Sequence, residues 1–145
     1  LALRGLVEEL GFDVAFAQSS GVASNSADFF ALPRFSLNEA YGDIKRFRLI
    51  IDTLPIPIHD LTPADPVLQQ NPPHIGFTVD DSVGDIKRIA CYASNQGAVQ
   101  LELLGASRVE LRVPKPFPRG RSRVNCTLPG PDNRWLWFGM QYLVP

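Results

Sequence analysis

The chain has 145 residues, enough for one ordinary domain or for a small domain with an attached segment. Hydrophobic residues make up 45% and charged residues 20% of it, which is typical of a globular protein. The formal net charge of −1 gives no electrostatic basis for binding nucleic acid or an anionic membrane surface. The longest apolar runs are too short to span a bilayer. Thirteen prolines and eleven glycines favour short strands and turns over a helical bundle.

The first residues predict an amphipathic helix. Apolar residues recur at the spacing of one helix face over residues 1–10, at Leu3, Leu6, Val7 and Leu10. Gly11 suits the left-handed conformation that ends many helices. A short strand is expected at 14–17, and the residues 18–28, rich in Ser, Asn and Gly, indicate a loop. Because the chain begins at Leu1 without an initiator methionine or a signal pattern, we expect a fragment or a processed product.

A second helix is predicted between residues 39 and 53. Asn38 is suited to cap its N-terminus, because an Asn side chain accepts hydrogen bonds from the first free N–H groups of a helix. The expected buried face consists of Tyr41, Ile44, Phe47 and Ile51. Helix, strand, loop and helix together indicate that residues 1–54 are an α/β segment.

The pattern changes at the proline-rich residues 55–73, which predict an extended connector. Beyond it, turn residues separate runs of strand length at 74–79, 86–94, 98–104, 107–113, 121–128 and 135–144. Short strands at this spacing are typical of a β-sandwich. We therefore expect a mainly β fold, with a sandwich of about six to eight strands and an N-terminal α/β segment. The predicted sandwich domain covers residues 74–145.

Two cysteines, Cys91 and Cys126, both lie in predicted strands. Their separation excludes a CxxC zinc or redox motif. Two alternatives stay open: a disulfide that pins two sheets together, as in other small sandwiches, or two buried free thiols.

The last predicted strand has two distinct faces. Its core face holds Leu136, Phe138, Met140, Tyr142 and Val144, so Trp135 and Trp137 share the opposite face. Flat aromatic rings stack on sugar rings, and arginines bind hydroxyl or acidic groups. Four arginines cluster near the tryptophans in sequence: Arg119, Arg121, Arg123 and Arg134. The tryptophans are therefore either a carbohydrate-binding surface or a packing surface covered by the N-terminal segment or the connector.

Two stretches in residues 1–54 resemble a known family. The residues Leu6–Phe16 contain a helix end, Gly-Phe and a strand, and after a loop the residues Ala31–Phe35 contain Leu-Pro-Arg. This order resembles the C-terminal end of a polysaccharide deacetylase barrel. Residues 86–144 also resemble the C-terminal modules of some bacterial deacetylases, through Arg121–Pro129 and Arg134–Gly139.

The resemblance implies a metal-dependent hydrolase that removes acetyl groups from glycans, with a metal, commonly zinc, held by one Asp and two His. No residues here match those positions, and only Arg34, the arginine of Leu-Pro-Arg, carries over, in a structural or supporting role. We therefore expect a non-catalytic part of a deacetylase that holds no cofactor itself. Its expected partners are a polysaccharide, the rest of the barrel and another copy of the chain. The bacterial cytoplasm and the periplasm both stay open as compartments.

Other polar motifs favour simpler interpretations. The residues Ile75–Ser82 resemble the strand and Asp-Asp pair that open a deacetylase barrel, but no histidine follows His74, so a strand with an acidic turn is expected. His59 and His74 have no metal-ligand spacing. A second hypothesis is a free-standing structural or interaction β domain. A self-contained enzyme is opposed by the lack of a convergent acid, base or metal set.

Overall fold

A computed structural model describes residues 2–25 and 27–145, and the fold is mainly β. Within these residues the helices are α1 (Ala2–Glu9) and α2 (Ile44–Ile51). The strands are β1 (Leu54–Pro55), β2 (Ile58–Thr62), β3 (Ile75–Val79), β4 (Ala90–Ala93), β5 (Gly97–Leu104), β6 (Arg108–Arg112), β7 (Gly120–Pro129) and β8 (Trp135–Val144). Short 3₁₀ turns lie at Asp81–Val83 and Pro131–Asn133.

The strands form one curled sheet of eight strands in the order β1-β8-β7-β4-β5-β6-β3-β2. Neighbours pair antiparallel, except that β1 pairs parallel to β8. The curl brings β3 opposite β8, so that the rings of Phe77 and Phe138 meet with their centroids 5.5 Å apart. The two halves of the sheet thus face each other across a common core, which confirms the predicted mainly β fold.

The core is built by strict alternation along the strands. In β7, Ser122, Val124, Cys126 and Leu128 are buried, while Arg121 and Arg123 are exposed. Ile75, Phe77 and Val109 from the opposite half are likewise almost fully buried. Each such apolar side chain contributes about 1.5–3 kcal/mol by leaving water, so this layer supplies most of the driving force for folding.

Every strand run predicted beyond residue 73 overlaps one observed strand, with ends that differ by a few residues at most. The proline-rich segment contributes more than a connector, because it adds β1 and β2 to the sheet and buries Ile56 and Leu68 in the core. The predicted division at Leu54 and Pro55 passes through β1 itself. These two strands escaped prediction because both are short, β1 contains Pro55 and β2 lies between Pro57 and Pro63. Prolines cannot donate to a strand ladder.

The predicted start of the second helix is wrong. Asp43 caps α2, because its side chain accepts hydrogen bonds from the N–H groups of Lys45 and Arg46. Asn38 instead accepts from Ala40 and Tyr41 and closes a separate turn. A Cβ at Gly42 would lie 2.7 Å from the Asn38 carbonyl oxygen, so residues 38–42 are folded too tightly to join the helix.

The apolar helix faces are not covered by the sheet. In α2 the buried residue is Ile50, and the predicted buried face is wrong: Tyr41, Ile44, Phe47 and Ile51 are 40–62% exposed. In α1, Leu3 and Leu10 are 74% and 66% exposed. These helix faces lie outside the hydrophobic core formed by the described residues, although the Arg46 guanidinium lies over the Tyr41 ring, 5.2 Å from its centroid.

Cys91 and Cys126 form a disulfide. They are directly paired residues of the neighbouring strands β4 and β7, and both are buried. The bond therefore joins two strands within the sheet. The expectation that it pins two sheets together is wrong, because both cysteines lie in adjacent strands of the same half.

We expect the double substitution Cys91→Ala and Cys126→Ala to lower the free energy of unfolding by about 3–4 kcal/mol, because the bond closes a loop between residues separated by 35 positions. Guanidinium denaturation of the variant and of the oxidised parent measures the difference. Thiol labelling of the parent should succeed only after unfolding in reductant, since both sulfurs are buried. Equal stability of variant and parent would contradict the prediction.

Candidate functional site

The outer face of β8 carries the candidate site. Leu136, Met140 and Tyr142 are buried, and Phe138 and Val144 pack against the core, so the predicted core face is confirmed. Trp135 and Trp137 lie on the other face of the strand. Trp135 is 43% exposed, whereas Trp137 is half-buried. The two rings therefore lie in different surroundings.

The N-terminal segment that lies over this face is held by a parallel backbone pairing. The N–H groups of Ala15 and Ala17 donate to the carbonyls of Phe29 and Leu32, each at 2.8 Å. Leu32 donates in turn to Ala15 at 2.9 Å, which makes a parallel bridge between Phe16 and Leu32. The predicted strand at 14–17 is thus present as one isolated bridge. It pairs with the Leu-Pro-Arg stretch.

Two arginines fasten this segment. The Arg34 side chain donates through Nε to the Ala17 carbonyl at 3.1 Å. Arg4 of α1 donates through Nε to Asp28 at 3.0 Å. The hydrogen bond from Arg4 holds the pKa of Asp28 below its ordinary value, and the hydrogen bond from the Phe30 N–H lowers this pKa to a smaller extent. Asp28 therefore stays ionised and paired, which does not suit it to act as a general base.

The segment approaches β8 closely at Gly139. A Cβ at this position would lie 2.0 Å from the Ser20 carbonyl oxygen and 2.8 Å from Asn125 Oδ1. Beside it, Trp137 Nε1 donates to Asn125 Oδ1 at 3.3 Å, and the Trp137 ring meets Phe35 edge-on, with centroids 5.2 Å apart. Trp137 is consequently a packing residue between the N-terminal segment and the sheet.

A pocket of about 260 Å³ lies between this segment and β8, and we call it the loop pocket. Its lining is mostly small or apolar and includes Ser19, Gly21, Val22, Pro33, Ile56 and Trp137, with Asp28 at its polar side. Among the described residues, its lining contains no histidine, lysine or cysteine. The carboxylate in this lining, Asp28, is paired with Arg4.

A second depression of about 240 Å³, the Trp135 groove, lies between α2 and the start of β8. It is lined by Arg48, Leu49, Asp52, Asn133, Arg134 and Trp135. Arg134 Nε donates to the Asp52 carbonyl at 2.6 Å, which fixes the guanidinium beside the indole. The groove therefore combines an exposed aromatic ring with two arginines.

Of the arginines predicted to assist the tryptophans, Arg134 lies beside Trp135, whereas Arg119, Arg121 and Arg123 lie elsewhere. In the β7–β8 pairing, Arg123 is opposite Gln141 and Thr127 is opposite Trp137, so Arg123 lies about 14 Å along the sheet from the tryptophan. Arg121 lies farther still and its guanidinium contacts the Gln18 side chain. Arg34 lines neither the loop pocket nor the Trp135 groove.

Sequence reasoning missed Arg48. Arg48 lies in the last turn of α2, where a basic residue is common and does not by itself indicate a binding site. The neighbouring residues in sequence did not indicate that this turn lies beside the start of β8. Arg134, by contrast, adjoins Trp135 in sequence and was among the arginines predicted near it. The groove therefore depends on a contact between elements far apart in the chain.

The remaining acidic and histidine residues form no centre. His59 Nδ1 lies 2.7 Å from Asp60 Oδ2, and both side chains are exposed. Asp80 follows β3 and caps the 3₁₀ turn by accepting from the Ser82 N–H, which confirms the predicted strand with an acidic turn. Among the described residues, no three His, Cys, Asp or Glu side chains are grouped to hold a metal ion. Neither helix in this part of the chain has the length and apolar character needed to cross a bilayer.

We expect Gly139→Ala to detach the N-terminal segment from β8, because its methyl group would overlap the Ser20 carbonyl oxygen. Limited proteolysis should then cut residues 14–35 faster, while the sheet stays folded in circular dichroism. Gly5→Ala is the matched control, since a Cβ at Gly5 meets no atom within 4 Å. Equal cleavage of the two variants would show that the close approach at Gly139 does not hold the segment.

Comparison with known proteins gives no further guide to this site. No protein family, no curated protein and no solved structure matches the chain. Its function is therefore argued from the residues and their geometry.

Proposed function

We propose that this chain is the non-catalytic C-terminal part of a polysaccharide deacetylase, with the β domain as an accessory module that contacts the glycan. Support comes from the resemblance of residues 1–54 to the end of a deacetylase barrel and of residues 86–144 to C-terminal modules of bacterial deacetylases. The parent enzyme removes acetyl groups from a glycan.

The observation that carries this proposal is an open strand edge at Phe16. Leu32 pairs with one side of this residue, and within the described residues the Phe16 N–H and C=O make no hydrogen bond on the other side. The Phe16 side chain is 66% exposed, and Leu3, Leu6 and Leu10 of α1 are exposed as well. In α/β proteins, such an edge and such a helix face are covered by a neighbouring strand and helix. The rest of a barrel supplies both.

In this proposal, the residues that hold the zinc of the parent enzyme lie outside this chain. The described residues contain no fitting group of ligands, so no catalytic step is assigned to them. The disulfide between Cys91 and Cys126 favours the periplasm over the bacterial cytoplasm, because disulfides persist in oxidising compartments. In the isolated chain, the uncovered apolar faces of residues 1–54 favour association with a second copy.

We expect the isolated chain to release no acetate above background from acetylated chitooligosaccharides, with or without added zinc, because the metal ligands of the family are missing. The product of the complete coding sequence that contains residues 1–145 is the positive control, and it should release acetate in a zinc-dependent manner. Zinc-stimulated turnover by the isolated chain would overturn the non-catalytic assignment. If the product of the complete coding sequence releases no acetate, the assignment of the parent as a deacetylase is contradicted.

The two tryptophans should respond differently to substitution. Trp135→Ala is expected to weaken binding of acetylated chitooligosaccharides about fivefold, the loss of one aromatic contact, at a stability cost below about 1 kcal/mol. Trp137→Ala should cost about 2–3 kcal/mol of stability, because its ring packs against Phe35. Calorimetric titration and thermal melting separate the two effects.

If the parent chain binds no glycan and Trp135→Ala destabilises it strongly, both tryptophans are packing residues. The free-standing β domain without a glycan role would then be the better explanation.

A further inference from the structure

The Trp135 groove differs from a neutral sugar site in its charge. Trp135 is 43% exposed, and Arg48 and Arg134 lie in the same groove. The lining contains one carboxylate, Asp52, so the groove has an excess of one positive charge. A neutral sugar would leave this excess unmatched.

Both arginines are free to bind a ligand. Arg134 uses Nε for the Asp52 carbonyl, and within the described residues its terminal nitrogens have no other protein partner. Arg48 makes no hydrogen bond or ion pair in that part of the chain. The Arg134 guanidinium is held in place, and the Arg48 guanidinium in the same groove has no partner among the described residues. Such a pair is suited to a carboxylate, because the planar N–H groups of a guanidinium match two carboxylate oxygens.

The remaining lining residues suit a sugar. Asp52 and the Asn133 side chain are acceptors for hydroxyl groups, and the indole of Trp135 is a surface for the C–H face of a pyranose ring. Resting on the proposed function, we propose that the Trp135 groove binds an acidic sugar residue of the glycan, with its carboxylate at Arg48 and Arg134 and its ring on Trp135. The glycan contacted by the β domain is then one that contains uronic acid.

The test compares a hexuronate oligomer with its methyl ester, which keeps the ring and removes the charge. The isolated chain should bind the acid about tenfold more tightly than the ester in calorimetric titration, the usual scale of a charge-assisted hydrogen bond. Arg48→Gln should remove that preference without lowering the melting temperature. Trp135→Ala should weaken acid and ester alike.

Arg119→Gln is the matched control. It makes the same charge change next to Gly120, which pairs with Val144 at the opposite end of β8, about 30 Å from Trp135. Its binding of the acid should equal that of the parent chain. Polyglutamate is the third ligand, because it carries carboxylates without sugar rings, and it should bind weakly and without dependence on Trp135.

The outcomes separate this proposal from the function on which it rests. Equal binding of acid and ester, both dependent on Trp135, would overturn the acidic-sugar assignment and leave a glycan-contacting module. No binding of acid, ester or acetylated chitooligosaccharide would overturn both. Polyglutamate binding as tight as that of the hexuronate oligomer would show a general anion site and overturn the sugar assignment. An equal loss in Arg48→Gln and Arg119→Gln would show that overall charge, and not the groove, selects the acid.

Discussion

The pairing of β7 with β8 is the interaction on which the other contacts depend. It runs without a bulge from Gly120 opposite Val144 to Pro129 opposite Trp135. Because side chains alternate strictly along such a ladder, its inner face supplies much of the core and its outer face is left for other elements. A shift by one residue would exchange the two faces. The disulfide from β7 to β4 and the parallel pairing of β1 with β8 extend the same framework to both sides.

The outer face of β8 is divided by the N-terminal segment. At Gly139 the segment approaches within contact distance of the strand, and Phe35 covers Trp137. Trp135 lies beyond the covered area, beside the last turn of α2. Two identical side chains two residues apart thus have different roles: one stabilises the packing of the segment and the other remains available to a ligand. The difference comes entirely from what lies over each ring.

The N-terminal segment has more apolar surface than the sheet covers. Leu3, Leu10 and Phe16 are all more than half exposed. Exposed apolar surface of this kind commonly marks an interaction with another domain or chain. The exposed residues of α1 and Phe16 do not line the Trp135 groove, which lies where α2 meets β8.

The sequence by itself determined the local structure of the β region. Period-two alternation predicted the core faces of β7 and β8, because side chains of a strand must point alternately in and out. The Asp-Asp pair predicted the acidic turn at Asp80, and apolar residues three and four positions apart predicted α1. Tertiary structure alone decided which apolar faces are covered, that Cys91 pairs with Cys126 across neighbouring strands, and that Arg48 reaches the groove beside Trp135. Periodicity depends on residues a few positions apart, whereas these features depend on contacts between segments distant in the chain, which leave no local pattern.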